Sequence, residues 1–302
     1  MKSSVVSGLA LWQWRLNARK SAVEEGIPVH EVDWLLQEVA KLDSLSLRLE
    51  SFKERSQITL PYPLSRLSQL WQERLNNRVP IQYLAGVTPW RNFALKVSPA
   101  VLIPRPETEY IIDIAIAAIK NSPTPELEWG EWADLGTGSG AIAIGLAEAF
   151  PSATIHAVDC APDALAIAQL NAENLGLQGR IKFYQGSWLS PLLAIKGKLS
   201  GIVSNPPYIP SSEIPQLQPE VANHEPQIAL DGGIDGLDAI RYLITTAPDY
   251  LLPGGILLVE MMAGQADTVL KLFHEQGSYC QIQICRDLAG IERFALAFRN
   301  SE

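Results

Sequence analysis

The segment VSNPPYIP (203–210) carries groups that could hold a flat amino group. Because proline cannot donate to a sheet ladder, Pro206 and Pro207 must end the apolar strand that precedes them. The side-chain carbonyl of Asn205 can accept a hydrogen bond, and so can the main-chain carbonyl of Pro206, which has no neighbouring N–H to compete for it. Two acceptors aimed at one point, with the ring of Tyr208 alongside, suit an amide or an exocyclic base amine.

A nitrogen of this kind is a poor nucleophile, because its lone pair is delocalised into a carbonyl or a ring. Accepting both of its hydrogens can hold it against a methyl donor and favour a localised lone pair in the transition state. A sulfonium donor requires no metal, so the hypothesis is a methyl-transfer socket built from Asn205, Pro206, Pro207 and Tyr208. The alternative is a strand end that is merely stiffened by its prolines.

A second pattern, WADLGTGSGAIAIGLA, is typical of a strand, a glycine-rich turn and a helix that binds a nucleotide. Its glycines let the backbone turn sharply and approach a ligand without a Cβ in the way. The helix that follows presents free N–H groups and the positive end of its dipole. Asp159, nineteen residues after Gly140 at the tip of the next predicted strand, can accept both hydroxyls of a ribose. Gly136, Gly138 and Ala141 also satisfy a relaxed dinucleotide pattern, which leaves a dehydrogenase open at this point.

The elements that must position these loops fall into three parts. Residues 1–80 have the apolar spacing of amphipathic helices and predict a small helical bundle. Residues 81–106 alternate apolar and polar side chains around turn signals and predict a short β-hairpin connector. Strands and helices alternate over residues 107–302, which predicts an α/β domain.

Seven segments of the third part have the composition of strands, and five have that of helices. The predicted strands are Trp132–Leu135, Thr154–Val158, Arg180–Tyr184, Gly201–Ser204, Gly255–Glu260, Tyr279–Ile284 and Arg293–Phe298. The predicted helices are Glu107–Lys120, Ser139–Phe150, Pro162–Leu175, Leu237–Thr246 and Gln265–Glu275. The Asn-Pro-Pro-Tyr segment follows the fourth strand, so we expect it at the carboxyl edge of the sheet, where doubly wound folds bind ligands.

Charge and composition argue against a nucleic-acid-binding, a metal-binding and a membrane-spanning protein. Residues 1–100 contain 13 Lys and Arg against 9 Asp and Glu, whereas residues 101–302 contain 11 against 24. An acidic second part is a poor electrostatic match for a nucleic-acid backbone. The 3 cysteines and 4 histidines have no metal-ligand spacing, which predicts reduced thiols and no metal. No apolar run reaches the length of a membrane span. The chain's first acid is Glu24, and we expect an ordinary first helix there in preference to a transit peptide.

The motifs together resemble the class I S-adenosylmethionine-dependent methyltransferases that act on planar nitrogen. Within these, the chain resembles the HemK family, the peptide chain release factor glutamine N5-methyltransferases, over essentially its whole length. The segments that carry the resemblance are PIQYLAG (80–86), LIPRPETE (102–109), DLGTGSGAIAI (134–144), VSNPPYIP (203–210) and HEPQIALDGGIDGLDAIR (224–241). The Asn-Pro-Pro-Tyr motif is shared with DNA adenine methyltransferases, whereas the second and last segments together are much more specific.

The resemblance implies an α/β fold with a seven-stranded Rossmann-like class I methyltransferase domain at 107–302. A small all-helical substrate-docking domain at 1–80 and the hairpin connector at 81–106 precede it. S-adenosyl-L-methionine is the implied cofactor. The implied partners are class I peptide chain release factors, with the glutamine of their Gly-Gly-Gln motif as methyl acceptor. We expect a cytoplasmic monomer with no membrane partner and no direct nucleic-acid partner.

Residue roles are implied where this sequence matches the family's motifs. The glycine loop is expected against the methionine part of the cofactor, Asp159 on its ribose, and Trp188 of GSWLSPL beside its adenine. Asn205 is expected to touch both cofactor and substrate, with Pro206, Pro207 and Tyr208 completing the substrate socket; Asn205, Pro206 and Tyr208 are the expected catalytic residues. The glycine-loop residues expected to bind the cofactor are Gly136, Thr137, Gly138, Ser139 and Gly140.

The chain departs from the family pattern at two places. Ser187 stands where many members have Asp or Asn before the tryptophan, and VEMMAGQ (259–265) is looser than the usual Glu-x-Gly. Arg105 and Glu107 could help to order the substrate. Equally, Pro106 and Thr108 could simply start a helix, whose positive end Glu107 and Glu109 would favour. His224 and Glu225 could act near the socket or form an ordinary surface pair.

Three other functions compete with glutamine methylation. An adenine N6 methyltransferase would have to flip a base and grip phosphates, for which the acidic second part is unsuited. A dehydrogenase gives no reason for the segment Asn205–Tyr208. A cofactor-binding adaptor would bind S-adenosylmethionine without transferring the methyl group.

Overall fold

The computed structural model describes residues 3–120, 122 and 124–300, which form two compact units. The first unit consists of the residues up to Val87 together with Pro219–His224. The second consists of Thr88–Gln218 and the residues from Glu225 onward. Within this described part of the chain, no helix is both long and apolar enough to cross a membrane.

The first unit is built from helices around one apolar core. Its elements are β1 (Ser4–Val6), α1 (Gly8–Glu24), α2 (His30–Ala40), α3 (Ser44–Arg48), β2 (Ile58–Leu60), α4 (Leu64–Asn77) and α5 (Ile81–Ala85). Helix α2 buries Val32, Leu35, Leu36 and Val39, the face that its apolar spacing predicts. Strands β1 and β2 pair antiparallel, a ladder that the sequence did not indicate. The first five residues of the predicted hairpin connector form α5, which ends at Gly86 in the left-handed conformation.

The segment Pro219–His224 joins this unit through a buried arginine on α4. Arg74 donates to Glu31 at 2.6 Å and to Glu220 at 2.7 Å, and its side chain is only 5% exposed. His224 donates from Nε2 to the main-chain oxygen of Asn77 at 2.6 Å. His224 is therefore engaged in holding the segment onto the helices.

The second unit alternates strands and helices. In chain order, the elements after α5 are β3 (Val87–Trp90), β4 (Phe93–Lys96), α6 (Tyr110–Lys120), β5 (Glu131–Leu135), α7 (Ala141–Ala149), β6 (Thr154–Asp159), α8 (Pro162–Asn174), β7 (Ile181–Gln185), β8 (Leu199–Ser204), α9 (Pro219–Ala222), α10 (Asp238–Thr246), β9 (Leu251–Glu260), α11 (Ala266–Gln276), β10 (Tyr279–Arg286) and β11 (Glu292–Arg299). Of these, α9 belongs to the first unit. Strands β3 and β4 pair as a two-stranded sheet inside the predicted connector. The seven strands predicted from 107 onward are all present, with ends shifted by up to four residues.

The main sheet has the strand order β10-β11-β9-β8-β5-β6-β7. Strands β9, β8, β5, β6 and β7 run parallel, while β11 pairs antiparallel with both β9 and β10. From β5 the chain winds outward through β6 and β7, and then returns to place β8 on the other side of β5. The predicted seven-stranded α/β fold is confirmed.

Helices cover both faces of this sheet, and the central strand β8 is buried along its whole length. Along β9, Ile256 and Leu258 pack into one apolar cluster, whereas Leu257 and Val259 pack into the other, as alternation along a strand requires. Gly201 of β8 cannot be replaced by a larger residue, because an added Cβ would lie 2.3 Å from the ring of Trp132.

Candidate active site

The predicted functional loops follow three neighbouring parallel strands. The glycine loop follows β5, Asp159 ends β6, and Asn205 comes directly after β8. Because the carboxyl ends of parallel strands meet at one edge, these groups converge there. Strands β5 and β8 also flank the point where the winding reverses, which is where doubly wound sheets bind ligands.

The glycine loop is folded back against the end of β6. The main-chain N–H groups of Gly136 and Thr137 donate to the carbonyl of Val158 at 2.9 and 3.0 Å. Gly136 and Gly138 have φ of 74° and 54°, values that glycine adopts without the strain a Cβ would bring. Gly140 also has positive φ, and an added Cβ would lie 3.1 Å from the Cβ of Ala168 on α8. The loop is thus shaped by backbone bonds and close helix packing.

A buried carboxyl beneath the loop escaped the sequence analysis. Asp134 accepts a hydrogen bond from the Thr137 hydroxyl at 2.5 Å and another from the N–H of Ala143 at 2.9 Å. Its other oxygen, Oδ1, is buried and has no partner among the described residues. Burial raises the pKa of the Asp134 carboxyl to about 7. The motif DLGTGSG contains this residue, but only the fold shows that it ties the loop to the start of α7.

The carboxylate of Asp159 can still accept hydrogen bonds from a ligand. Its Oδ2 accepts from the N–H of Gly138 at 2.8 Å and its Oδ1 accepts from the N–H of Ala161 at 2.9 Å. Each carboxylate oxygen has a second lone pair, so this fixed carboxylate can accept two further hydrogen bonds.

These groups border a cavity of about 550 Å³ in the second unit. The predicted site residues that line it are Gly136, Gly138, Asp159, Trp188, Asn205 and Pro207. Five other predicted site residues are not among the described residues that line the cavity: Thr137, Ser139, Gly140, Pro206 and Tyr208. The buried side chain of Thr137 bonds to Asp134, and the carbonyl of Ser139 accepts from the Asn171 amide at 2.9 Å.

One wall of the cavity is aromatic. Trp188 has φ of 51°, and its ring centroid lies 6.3 Å from that of Tyr242 on α10. Both rings line the cavity, where they can pack on a flat ligand group. Tyr242 was missed because an aromatic residue on a helix carries no signal of a ligand until the helix is placed.

The socket segment is braced by the turn DGGIDG (231–236). The main chain of Ile209 pairs with the segment around Asp231, with its N–H donating to the carbonyl of Leu230 at 3.0 Å. The carbonyl of Tyr208 accepts from the Gln265 amide at 3.1 Å. An added Cβ at Gly236 would lie 2.3 Å from that same carbonyl, so only glycine fits. The turn therefore fixes the path of the chain after the two prolines.

The side chains of Thr108 and Glu260 support the socket through hydrogen bonds. Tyr208 donates from its hydroxyl to Glu260 at 3.0 Å, and the Thr108 hydroxyl donates to the other oxygen of Glu260 at 2.7 Å. Asn205 donates from Nδ2 to Thr108 at 3.4 Å. Burial raises the pKa of Glu260 to about 7, and burial together with Glu260 raises the pKa of Tyr208, which stays protonated. The looser segment VEMMAGQ thus still supplies a buried acid at the strand end.

Arg105 and Glu225 form an ion pair in the second unit. Their side chains meet at 2.8 Å, and Glu225 is 1% exposed against 33% for Arg105. Burial raises the pKa of Glu225, whose Oε2 has no partner among the described residues. Glu107 lies in a short helical turn just before α6. Glu225 is therefore a buried partner of Arg105, not a surface pair with His224.

The site fits S-adenosylmethionine. Its volume lies in the range of small-molecule pockets. Glycines without Cβ groups, a carboxylate at a strand tip and two aromatic rings line it, which suits the amino-acid, ribose and base parts of that ligand. No cluster of metal-ligating side chains occurs among the described residues. Fold and site together define a class I S-adenosylmethionine-dependent methyltransferase.

Comparison with known proteins supports the assignment to the methyltransferases. The family model for the methyltransferase small domain matches residues 112–222. The release factor glutamine methyltransferase of Synechocystis sp. is 50% identical, over 98% of this chain and 99% of that protein. Its counterpart in Thermosynechococcus vestitus is 47% identical, over 97% and 99%. The chain belongs to the release factor glutamine methyltransferase family, and the HemK resemblance is confirmed.

A solved structure supports the fold independently. The hMettl16 catalytic domain, in complex with the MAT2A 3'UTR hairpin 6, matches with a TM-score of 0.55 at 13% identity. The match covers 81% of this chain and 84% of that one. At this identity the likeness concerns the fold alone.

Proposed function

We propose that the chain transfers the methyl group of S-adenosylmethionine to the side-chain amide N5 of a glutamine. The acceptor is the glutamine of the Gly-Gly-Gln motif in class I peptide chain release factors. The observation that carries this proposal is the placement of the socket: Asn205 and Pro207 line the same cavity as Gly136, Asp159 and Trp188. Relatives of nearly equal length that are named for this activity support the protein substrate over the adenine alternative.

On the cofactor side, the residues of this chain bind and orient. The loop Gly136–Gly140 would hold the methionine part, with Gly136 and Gly138 allowing close approach and Thr137, Ser139 and Gly140 setting the shape of the loop. Asp159 would accept the ribose hydroxyls, and Trp188 with Tyr242 would flank the adenine. When bound, S-adenosylmethionine supplies an electrophilic methyl group on a sulfonium centre.

On the substrate side, the socket holds the amide nitrogen in place. The side-chain oxygen of Asn205 and the carbonyl of Pro206 would accept the two N–H hydrogens, while Pro207 and Tyr208 confine the flat amide. Holding both hydrogens favours the localised lone pair that attacks the methyl carbon, and fixes the nitrogen in line for transfer. The N–C bond forms as the bond between the methyl group and the sulfonium sulfur breaks, and the alkylated nitrogen, now strongly acidic, gives up one proton to water.

The helical part of the chain is proposed to dock the release factor. We propose the division of labour expected from the sequence: docking by residues 1–80, connection by 81–106 and catalysis by 107–302. We propose that the enzyme acts in the cytoplasm, where release factors act, and the acidic second part argues against a direct nucleic-acid partner. A monomeric state stays a prediction.

The test uses purified protein with methyl-labelled S-adenosylmethionine. Three acceptors are offered separately: a class I release factor, the same factor with its Gly-Gly-Gln glutamine changed to alanine, and unmethylated DNA. We expect label on the first acceptor alone. Label on DNA and not on the release factor would reject the proposal, and cofactor binding without transfer to any acceptor would favour the adaptor.

A further inference from the structure

Three hydrogen bonds connect the socket to the buried carboxyl group of Glu260. They run from the Asn205 amide to the Thr108 hydroxyl, then to Glu260, which also accepts from the Tyr208 hydroxyl. Thr108 is 4% exposed and Glu260 is 1% exposed, so water does not compete for these bonds. Thr108 precedes Glu260 by 152 positions, and the fold alone brings them together.

When Glu260 is ionised, its charge fixes which group donates and which accepts in each of these hydrogen bonds. A carboxylate can only accept, so the hydroxyls of Thr108 and Tyr208 must both point their hydrogens at Glu260. The Thr108 oxygen is then left with lone pairs toward Asn205, and the group of Asn205 that faces it must be the NH2. The carbonyl oxygen of Asn205 consequently faces the other way and is free to accept a hydrogen bond.

We propose that Glu260, acting through Thr108, is a positioning residue that keeps the acceptor oxygen of Asn205 turned toward the substrate amide. Through its second oxygen it also holds the ring of Tyr208 in the socket. The inference rests on the proposed function, since it is the amide substrate that needs an acceptor there. Glu260 touches neither substrate nor cofactor in this account, so its role is exercised only through its two hydroxyl partners.

The charge on Glu260 should control this orientation. The charged and titratable groups that act on it are Arg293, which favours ionisation, Glu107, which opposes it, and the Tyr208 hydroxyl that bonds to it. Arg293 is itself held by Asp287 at 2.9 Å. A protonated Glu260 must donate from one oxygen. If that oxygen faces Thr108, the Thr108 hydrogen turns to Asn205 and the amide flips, presenting NH2 to the substrate.

The activity test uses four proteins: wild type, E260Q, T108V and T108S. With release factor as substrate, we expect wild-type kcat to fall as pH drops through about 7, where Glu260 takes up a proton. E260Q has no proton to take up at this position and should lose that limb. T108V removes the link and should lower kcat by about 10- to 100-fold, whereas T108S keeps a hydroxyl and should restore most of it. Binding of S-adenosylhomocysteine should be the same in all four, which checks that each variant is folded.

A second readout does not depend on the substrate. The side-chain NH2 resonances of Asn205, followed by NMR in 15N-labelled protein, should shift with a midpoint near pH 7 in wild type and show no such shift in E260Q. An unshifted Asn205 amide, a low-pH limb that persists in E260Q, or a T108V kcat within twofold of wild type would overturn the inference. If the wild type does not methylate release factor but the Asn205 shift is present, the proposed function is rejected, while the hydrogen-bonded link between Asn205 and Glu260 is still supported.

Discussion

Burial of Glu260 should make the stability of the protein depend on pH in a way that one substitution removes. The pKa of this carboxyl rises from 4.5 to about 7 on folding, because burial disfavours its charge. The folded protein therefore holds this proton more tightly than the unfolded chain does, and the free energy of unfolding falls as pH rises from 4.5 to 7. Between pH 5 and pH 8 the loss from this group amounts to about 2 to 3 kcal/mol. E260Q carries no such charge and escapes the loss.

The measurement is urea unfolding of wild type and E260Q at pH 5 and pH 8, followed by circular dichroism. Comparing the two proteins at each pH cancels the contribution of other titrating groups, such as Asp134. Relative to wild type, E260Q should gain about 2 to 3 kcal/mol of unfolding free energy on going from pH 5 to pH 8. The matched control is E213Q, since Glu213 is exposed and its substitution should have the same effect at both pH values. An E260Q difference that is equal at the two pH values would refute the reasoning.

Three further substitutions test other parts of the account. G236A places a Cβ against the carbonyl of Tyr208, so kcat for methyl transfer should fall by about 10- to 100-fold while S-adenosylhomocysteine binding persists. Unchanged kcat would show that the turn does not hold the socket. R74M leaves the carboxylate of Glu31 without its buried partner and should cost roughly 3 kcal/mol in chemical unfolding; a loss below about 1 kcal/mol would place this pair with ordinary surface bridges. Y242A removes one of the two rings that line the cavity and should weaken S-adenosylhomocysteine binding about tenfold by calorimetry, and equal affinity would remove Tyr242 from the adenine site.

The sequence could predict those features that depend on neighbouring residues. The strand that ends at Asp159, the glycine loop and the prolines after Asn205 each show their conformation in a few consecutive positions. Strand ends were less certain, because β9 extends back to Leu251 through Pro253 and two glycines that resemble a turn.

Features that depend on tertiary contact could not be predicted. Thr108 and Glu260 are far apart in the chain, and neither is unusual in its own segment. Tyr242 becomes a cavity residue only when α10 is placed against the sheet. Pro219–His224 groups with the N-terminal helices because a distant arginine, Arg74, bonds to Glu220. Side chains that support a site from behind thus carry the weakest local signal.

The most direct test of the central claim is mass spectrometry of a release factor after incubation with S-adenosylmethionine and either wild type or N205A. We expect a single added methyl group on the side-chain amide of the Gly-Gly-Gln glutamine with wild type, and almost none with N205A, which lacks the acceptor oxygen. A methyl group on any other residue, or equal methylation by the two proteins, would contradict the socket assigned to Asn205, Pro206, Pro207 and Tyr208.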